Sequence, residues 1–187
     1  ITVGRDKSIK LIKDAYQGNK TLGVVAQKND NIEDPEEKDL NKIGTVALIL
    51  KMLRMPDGNT TVIIQGKKRF KIKEVTQTEP YLKANIEPFN QQEKPKGKNF
   101  NALVSSIKDL ASQIIEQSPN IPTEATFAIK NIESPTFLIN FIASNMKGSV
   151  AEKQQLLEVP ELTERANKLL SHLTKELQLL ELKNDIQ

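Results

Sequence analysis

The sequence predicts an α+β protein in which a β-rich lobe is followed by a helical lobe that ends in a long helix. In the first half of the chain, apolar residues alternate with polar ones or form short blocks, as in strands. In the second half they recur every three to four positions, as on one face of a helix. The polar stretch NQQEKPKGKN separates the two patterns and has the Pro and Gly of a linker. We therefore predict a β-rich domain at residues 1–90, a linker at 91–98 and a helical domain at 99–187.

The composition sets broad limits on function. With 37% hydrophobic and 27% charged residues, the chain is expected to fold in water. The absence of Cys excludes disulfides and thiolate chemistry. The longest aliphatic run, Val46 to Leu50, is far shorter than the roughly 20 residues that cross a bilayer. The chain starts at Ile1 without a signal-peptide pattern and ends at Gln187 without a helix breaker, so we expect a fragment of a longer protein.

Turn and capping residues locate the elements of the first lobe. Helical spacing predicts a helix over residues 6–17, with Asp6 accepting hydrogen bonds from its first-turn amides and Gly18 ending it. Pro56-Asp57-Gly58-Asn59 predicts a hairpin turn, because Pro presets its φ while Gly and Asn tolerate a positive φ. The acidic stretch 29–39 is expected to be a solvated loop. Strands are predicted at Leu22–Ala26, Gly44–Met55, Val62–Val75 and Tyr81–Phe89.

The basic cluster between Lys67 and Lys73 raises the question of an anion site. A Walker A phosphate loop requires a Gly five positions before its Gly-Lys pair, and Thr61 occupies that position. Alternation instead predicts a strand with an apolar face (Val62, Ile64, Gly66, Phe70, Ile72) and a polar face (Gln65, Lys67, Arg69, Lys71, Lys73). A bulge after Gly66 would accommodate Lys68. We interpret the cluster as the solvent face of a strand, with RNA phosphates or an acidic protein partner as alternatives.

No catalytic constellation is found in the sequence. His172 is the only histidine, and without Cys it lacks the further ligands that a zinc site needs. There is no Gly-x-Ser-x-Gly motif, and the acidic stretch lacks the ligand spacing of a calcium loop. We therefore predict no catalytic residue, no cofactor site and no metal site, and expect the chain to hydrolyse neither ATP nor peptides.

Caps and breakers define the second lobe. Ser134-Pro135 is predicted to start one helix, and the capping box Ser149 to Glu152 another that runs through Leu157. Helices are also predicted at Ala102–Gln117, at Ile121–Ile132 and from Pro160 to the end. The last helix carries a coiled-coil-like seam of Leu162, Ala166, Leu169, Leu173, Leu177 and Leu180. Its final apolar residues are expected to lack cover and to support self-association: Leu177, Leu180, Leu182 and Ile186.

Four stretches in order resemble the amino-terminal domain of bacterial-type Lon proteases. They are VGRDKSIKLIKDA, GVVAQKND, IGTVALILKMLRMPDGNTTVIIQGKKRFKI and LLEVPELTERANKLLSHLTKELQLLELKNDIQ. The resemblance implies a PUA-like β lobe, a helical lobe and a long helix that leads to an ATPase module. Family members usually have a Leu- and Pro-rich strand segment ahead of the Val-Gly-Arg stretch, which here begins two residues into the chain.

The resemblance also implies a function. Lon is an ATP-dependent serine protease that forms a ring of six, so ATP, Mg and a homo-hexamer are expected for the full-length protein, in the bacterial cytoplasm. Its Walker A loop and Ser–Lys dyad are not found in this sequence. This region would bind unfolded or degron-bearing proteins, not a membrane, and nucleic acid is disfavoured because aromatic stacking residues are missing from the basic strand. The alternatives are a stand-alone adaptor of the same fold and a PUA-like RNA-binding protein.

Recognition of unfolded clients requires exposed apolar surface, which predicts two candidate sites. The first is an apolar surface at the hairpin, formed by Met52, Leu53, Met55 and Pro56 with Tyr81 and Phe89 as neighbours. The alternative is that these residues complete the core of the β lobe. The second is the polar start of the first helix, where Asp6, Lys7 and Lys10 could orient a client or a neighbouring subunit.

Overall fold

The structure is a computed structural model that describes residues 1–89 and 95–186. The chain divides into two compact units, Ile1–Asn90 and Gln91–Gln187. Residues 91–94 of the predicted linker lie outside the described residues, and the first helix of the second unit begins at Lys98, inside the predicted linker. A sheet in one unit and helices in the other confirm the α+β class.

Over residues 1–89 the β-rich unit consists of an antiparallel sheet, one α-helix and a short 3-10 helix at Glu37–Asp39. Strand β4 is central and pairs with three strands, namely β3, the short strand β1 and β5. Strand β2 pairs with the outer side of β3. The elements are β1 (Thr2–Val3), α1 (Asp6–Gln17), β2 (Thr21–Val24), β3 (Ile43–Arg54), β4 (Thr60–Gln77) and β5 (Lys83–Pro88).

The β3–β4 hairpin is the longest feature of this unit and forms where the sequence predicts it. The Gly58 amide donates to the Met55 carbonyl across the turn at 3.1 Å, and Gly58 has a φ of 90°, which Gly adopts without steric cost. The predicted bulge is confirmed, since Val46 pairs with Lys68 but Ala47 pairs with Gly66. One strand residue is therefore extra, and the alternation of faces is reset within the basic cluster.

The core of the β-rich unit is small. Val3, Ile12, Ile49 and Val62 form its buried cluster, with residues of α1 and β2 packed around them. Farther along the sheet the Phe70 ring is buried against two glycines of neighbouring strands, Gly23 and Gly44, where an added Cβ would approach its Cζ within 3.2 and 2.8 Å. Small residues thus make room for the one buried aromatic ring of this sheet among the described residues.

Two local predictions for the first unit need correction. Asp6 does not cap α1, because the N-cap residue is Arg5, whose side chain makes no capping hydrogen bond. Asp6 is the first helical residue, where its negative charge interacts favourably with the positive end of the helix dipole. The strand predicted as buried at Leu22–Ala26 is β2, which ends at Val24 and is half-buried because it lies at an edge of the sheet. Gly18 ends α1 as predicted, its amide donating to Asp14 and Ala15 carbonyls.

The second unit is helical, and its predicted caps are confirmed. Ser134 Oγ accepts from the Phe137 amide at 3.2 Å, and Ser149 and Glu152 form a capping box. Its elements are α2 (Lys98–Gln117), α3 (Glu124–Lys130), α4 (Pro135–Asn145), α5 (Val150–Leu157) and α6 (Leu162–Ile186). None of the helices in the described parts of the chain is long and apolar enough to cross a bilayer.

The seam of α6 packs into the core of the helical unit. Leu162, Ala166, Leu169 and Leu173 are buried with residues of α2, α4 and α5. The prediction that Leu177 lacks cover is wrong, since only 8% of it is exposed, and Leu180 also packs partly against this core. Leu177 is covered because α2, a helix of 20 residues, packs along α6 almost to its end. Gln117 at the end of α2 accepts a hydrogen bond from Asn184 near the end of α6.

Candidate functional site

Exposed apolar side chains cluster at the β3–β4 hairpin. Leu50, Leu53, Met55 and Ile63 are 54%, 39%, 42% and 46% exposed. Thr61 pairs with Leu53 and Lys51 pairs with Ile63, so Leu53 and Ile63 are diagonal neighbours on one face of the ladder. We call these four residues the hairpin patch. It contains two of the predicted residues, Leu53 and Met55, and two that the sequence analysis did not select, Leu50 and Ile63.

The other predicted residues of the hairpin have different surroundings. Met52 pairs with the fully buried Val62 and packs partly against the core, so for this residue the alternative interpretation is the better description. Pro56 is exposed in the turn. Met52 and its neighbour Leu53 differ in burial because successive residues of a regularly paired strand point to opposite faces of the sheet.

Tyr81 and Phe89 do not join the hairpin patch. The Tyr81 hydroxyl donates to Asp14 Oδ2 of α1 at 2.8 Å, which raises the pKa of Tyr81, and Gln77 Nε2 donates to the Tyr81 carbonyl at the far end of β4. The Phe89 amide donates to the Arg69 carbonyl, nine residues along β4 from its first residue at the hairpin. Their expected place beside the hairpin is therefore wrong, since β5 pairs only with the distal part of β4.

Lys7 at the polar start of α1 connects three chain segments through ion pairs: the helix itself, the acidic loop with Asp34 and the segment after β4 with Glu79. Lys7 Nζ lies 2.7 Å from Glu79 Oε1 and 3.0 Å from Asp34 Oδ1, and hydrogen bonds to Glu79 and then Asp34 raise the pKa of Lys7. Lys10 pairs with Asp14 of the same helix at 3.7 Å, and Asp6 is exposed in the first turn. Lys7 is thus engaged inside the unit, in contrast to the outward role predicted for it.

A shallow cleft of ≈ 460 Å³ adjoins Lys7. Its lining includes Asp34, Glu36, Glu37 and Glu79. Within residues 1–89 and 95–186, no three His, Cys, Asp or Glu side chains are grouped so that they could hold a metal ion. Four carboxylates and the two lysines Lys7 and Lys38 line this cleft, so its charge is negative on balance.

The basic cluster follows the strand interpretation. Lys67, Lys68 and Lys71 are exposed, whereas Phe70 between them is buried. The Arg69 guanidinium lies 4.7 Å from the centre of the Phe89 ring, and burial lowers the pKa of Arg69. Phe70 is thus buried and the Phe89 ring contacts Arg69, so neither ring is a free stacking surface for a base.

The helical unit exposes aromatic residues that the sequence analysis missed. Phe137 and Phe141 of α4 are 57% and 42% exposed and stack with ring centres 5.9 Å apart, and Phe127 of α3 is also exposed. The apolar run from Phe137 to Ile142 gave no periodicity from which an exposed face could be inferred. Only the packing of α4 shows which of these residues face water.

Together the two units display apolar side chains in water at a hairpin and on a helix, and such surfaces are typical of a module that binds other proteins. The family model for the ATP-dependent protease La (LON) substrate-binding domain matches residues 1–175. This chain belongs to that family, which confirms the resemblance seen in the sequence.

Curated relatives and solved structures agree with the family. The Lon protease of Flavobacterium johnsoniae is 58% identical over 188 residues, and that of Cytophaga hutchinsonii is 47% identical over 187. Both matches cover 100% of this chain but 23% of the relative, so the chain spans about a quarter of their length. The N-terminal domain of Mycobacterium avium complex Lon protease superposes with a TM-score of 0.72 at 19% identity, covering 93% of this chain and 89% of that one, which shows a shared fold.

Proposed function

We propose that this chain recognises unfolded or degron-bearing proteins for a Lon-type, ATP-dependent protease. The family of substrate-binding domains supports binding of a protein substrate. By extension from the relatives, the full-length protein would use ATP and Mg, assemble as a hexamer and serve protein quality control in the bacterial cytoplasm.

The hairpin patch is the observation that carries the proposal. Leu50, Leu53, Met55 and Ile63 expose apolar surface although the same sheet buries Ile49 and Val62 completely. Apolar surface that is exposed to water costs free energy. Binding that covers this surface recovers about 25 cal/mol per Å² removed from water. Unfolded proteins differ from folded ones in exposing apolar segments, so such a patch distinguishes the two.

The test replaces the outward-facing pair Leu53→Ser/Ile63→Ser and measures affinity for a fluorescent, permanently unfolded test protein by anisotropy. The affinity should fall about fivefold to tenfold, as expected for losing about 1 kcal/mol or slightly more of apolar contact. The melting temperature should change little, because both side chains already face water. Unchanged affinity of the double variant would contradict the patch as the client site.

The end of α6 supports the assembly part of the proposal. Leu179, Leu182 and Ile186 are exposed and lie three and four positions apart, so they form one stripe on the helix. Because Leu177 belongs to the core, removal of the whole helix end would unfold part of the unit. We instead expect Leu182→Ser/Ile186→Ser to reduce concentration-dependent self-association in sedimentation at an unchanged melting temperature. The same mass distribution for wild type and variant would exclude this stripe as the contact.

A further inference from the structure

Helix α4 holds two phenylalanine rings in water at fixed positions. Phe137 and Phe141 stack with an interplanar angle of 16°, while Leu138, Ile139 and Ile142 on the other side of the helix are buried in the core. The buried side fixes the rotation of the helix, so the rings cannot turn inward. Their exposure is therefore built into the packing of the unit.

Asn140 is exposed on the same side of α4 as Phe137, three residues after it, and lies beside the stacked pair of rings. Arg165, only 4% exposed, donates from Nη1 to Asn140 Oδ1 at 2.7 Å and from Nη2 to the Val159 carbonyl at 3.3 Å. A guanidinium has no acceptor, so it fixes the side-chain oxygen of Asn140 as its partner. The Asn140 Nδ2 amide is consequently directed away from Arg165.

The structure gives this Asn140 amide no acceptor among the described residues. Neighbouring polar groups are satisfied within the helix: Ser144 Oγ donates to the Asn140 carbonyl, and Asn145 Nδ2 donates to the Phe141 carbonyl. Asn140 thus presents an oriented hydrogen-bond donor beside two aromatic rings. A donor in this position fits a carbonyl oxygen, and every extended peptide offers one per residue.

The lack of charged residues in α4 narrows the chemical class of ligand that this helix could bind. From Ser134 to Met146 the chain has no charged side chain. Two charged side chains of other elements contact this helix, Lys153 through the Ser144 carbonyl at 3.1 Å and Arg165 through Asn140 Oδ1 at 2.7 Å, and each donates a hydrogen bond there. A segment with few charged side chains therefore loses the least hydration when it lies on the exposed rings. The chemistry of the face therefore fits an extended, uncharged segment with apolar side chains.

We propose that Phe137, Asn140 and Phe141, here called the aromatic notch, bind an extended apolar segment of an unfolded polypeptide. The rings contact its side chains while Asn140 Nδ2 donates to one of its backbone carbonyls. The inference rests on the proposed function for its substrate class and adds a second site, in the helical unit, to the hairpin patch.

Asn140→Asp is the sharpest test, because it keeps an oxygen acceptor for Arg165 but removes the donor and adds a charge. The probe is a fluorescein-labelled dodecapeptide in which Leu and Phe alternate with Ser, and its counterpart with all Leu and Phe replaced by Ser is the control peptide. The affinity of Asn140→Asp for the apolar peptide should fall about threefold to tenfold, the range for one hydrogen bond. Its melting temperature should not fall, whereas loss of a merely structural contact would lower it.

Phe137→Ser/Phe141→Ser should weaken binding at least as much, and Phe127→Ser is the matched control with an exposed ring on another helix. Wild-type affinity in Asn140→Asp would overturn the notch, as would equal losses from Phe127→Ser. A lower sedimenting mass with unchanged peptide affinity in the double variant would assign the face to a second copy and also overturn it. If wild type binds neither the peptide nor the unfolded test protein, the proposed function itself fails. If the hairpin variant loses binding and the notch variants do not, only this inference fails.

Discussion

The two units bury their apolar residues by different means. Among the described residues, the main buried cluster of the helical unit has sixteen members drawn from all five helices and their connections, whereas that of the β-rich unit has four. The β-rich unit depends more on its antiparallel ladder and on close approaches such as Phe70 against Gly44. Both units nevertheless expose large apolar side chains, at the hairpin patch of one and on α3, α4 and the end of α6 of the other, so the size of the core does not decide how much apolar surface meets water.

The largest expected effect is in the helical core. Leu169→Ala removes a fully buried side chain and should lower the free energy of unfolding of this unit by about 3 kcal/mol, through lost transfer energy and a cavity. Most helical residues lie in this unit, whereas both tyrosines, Tyr16 and Tyr81, lie in the other. Urea unfolding followed at 222 nm should therefore shift while tyrosine fluorescence does not. Equal shifts of the two signals would show that the units unfold together.

A backbone contact should dominate in the β-rich unit. Gly44→Ala would place a Cβ against the Val24 carbonyl and 2.8 Å from the Phe70 ring, and should cost about 2 kcal/mol because neither neighbour can yield freely. The tyrosine-detected transition should shift and the helical one should not. Gly66→Ala, whose Cβ would meet only Thr45 Cγ2 at 3.2 Å, is the milder control. A variant as stable as wild type would mean that this sheet tolerates repacking.

The hairpin offers a comparison of neighbouring methionines. Met52 packs partly on the core and Met55 is exposed, so Met52→Ser should cost about 1 to 2 kcal/mol and Met55→Ser less than about 0.5 kcal/mol. The sequence analysis placed both methionines in one apolar surface, whereas the structure separates them. Tyrosine-detected urea unfolding of the two single variants checks this difference, and equal losses would place both residues in the core.

The smallest effect is electrostatic and concerns α6. Burial raises the pKa of Glu176, against a hydrogen bond from the Lys147 amide and the Lys147 charge. Since the folded state binds this proton more tightly, the free energy of unfolding falls as the pH rises through the unfolded-state and then the folded-state pKa. Glu176→Gln should therefore raise the melting temperature by about 2 °C at pH 7, a small value because the group is partly solvated. The difference should vanish toward about pH 3, where both states hold the proton; a difference that grows on acidification would contradict the cause.

Much of the chain could be predicted because the responsible signals are local. The hairpin turn at Pro56 to Asn59, the cap at Ser134 and the capping box at Ser149 need only a few adjacent residues. The change of apolar period near residue 98 likewise separates sheet from helices without reference to packing. The basic strand could be interpreted for the same reason, since alternation and one bulge are properties of a single segment.

The candidate sites were harder to predict from the sequence, because the exposure of a side chain depends on which other parts of the chain cover it. Leu177 continues a seam that the sequence shows, yet only the length of α2 decides that it is buried. Tyr81 meets Asp14 across 67 residues of sequence, which removes it from the hairpin. The apolar run of α4 has no polar residue except Asn140 to mark its outer face.

The sequence by itself therefore determined most of the elements and their order, because turns, caps and apolar periods involve only a few adjacent residues. It also contained the four stretches that resemble the family. The short strand β1 was not predicted, since it is defined by its pairing with the distant Thr60 and Thr61. The tertiary structure alone decided which apolar residues meet water and which way Asn140 points. The physical reason is that burial and the orientation of an amide are set by neighbours from distant parts of the chain, here the pairing of β3 with β4 and the Arg165 guanidinium of α6.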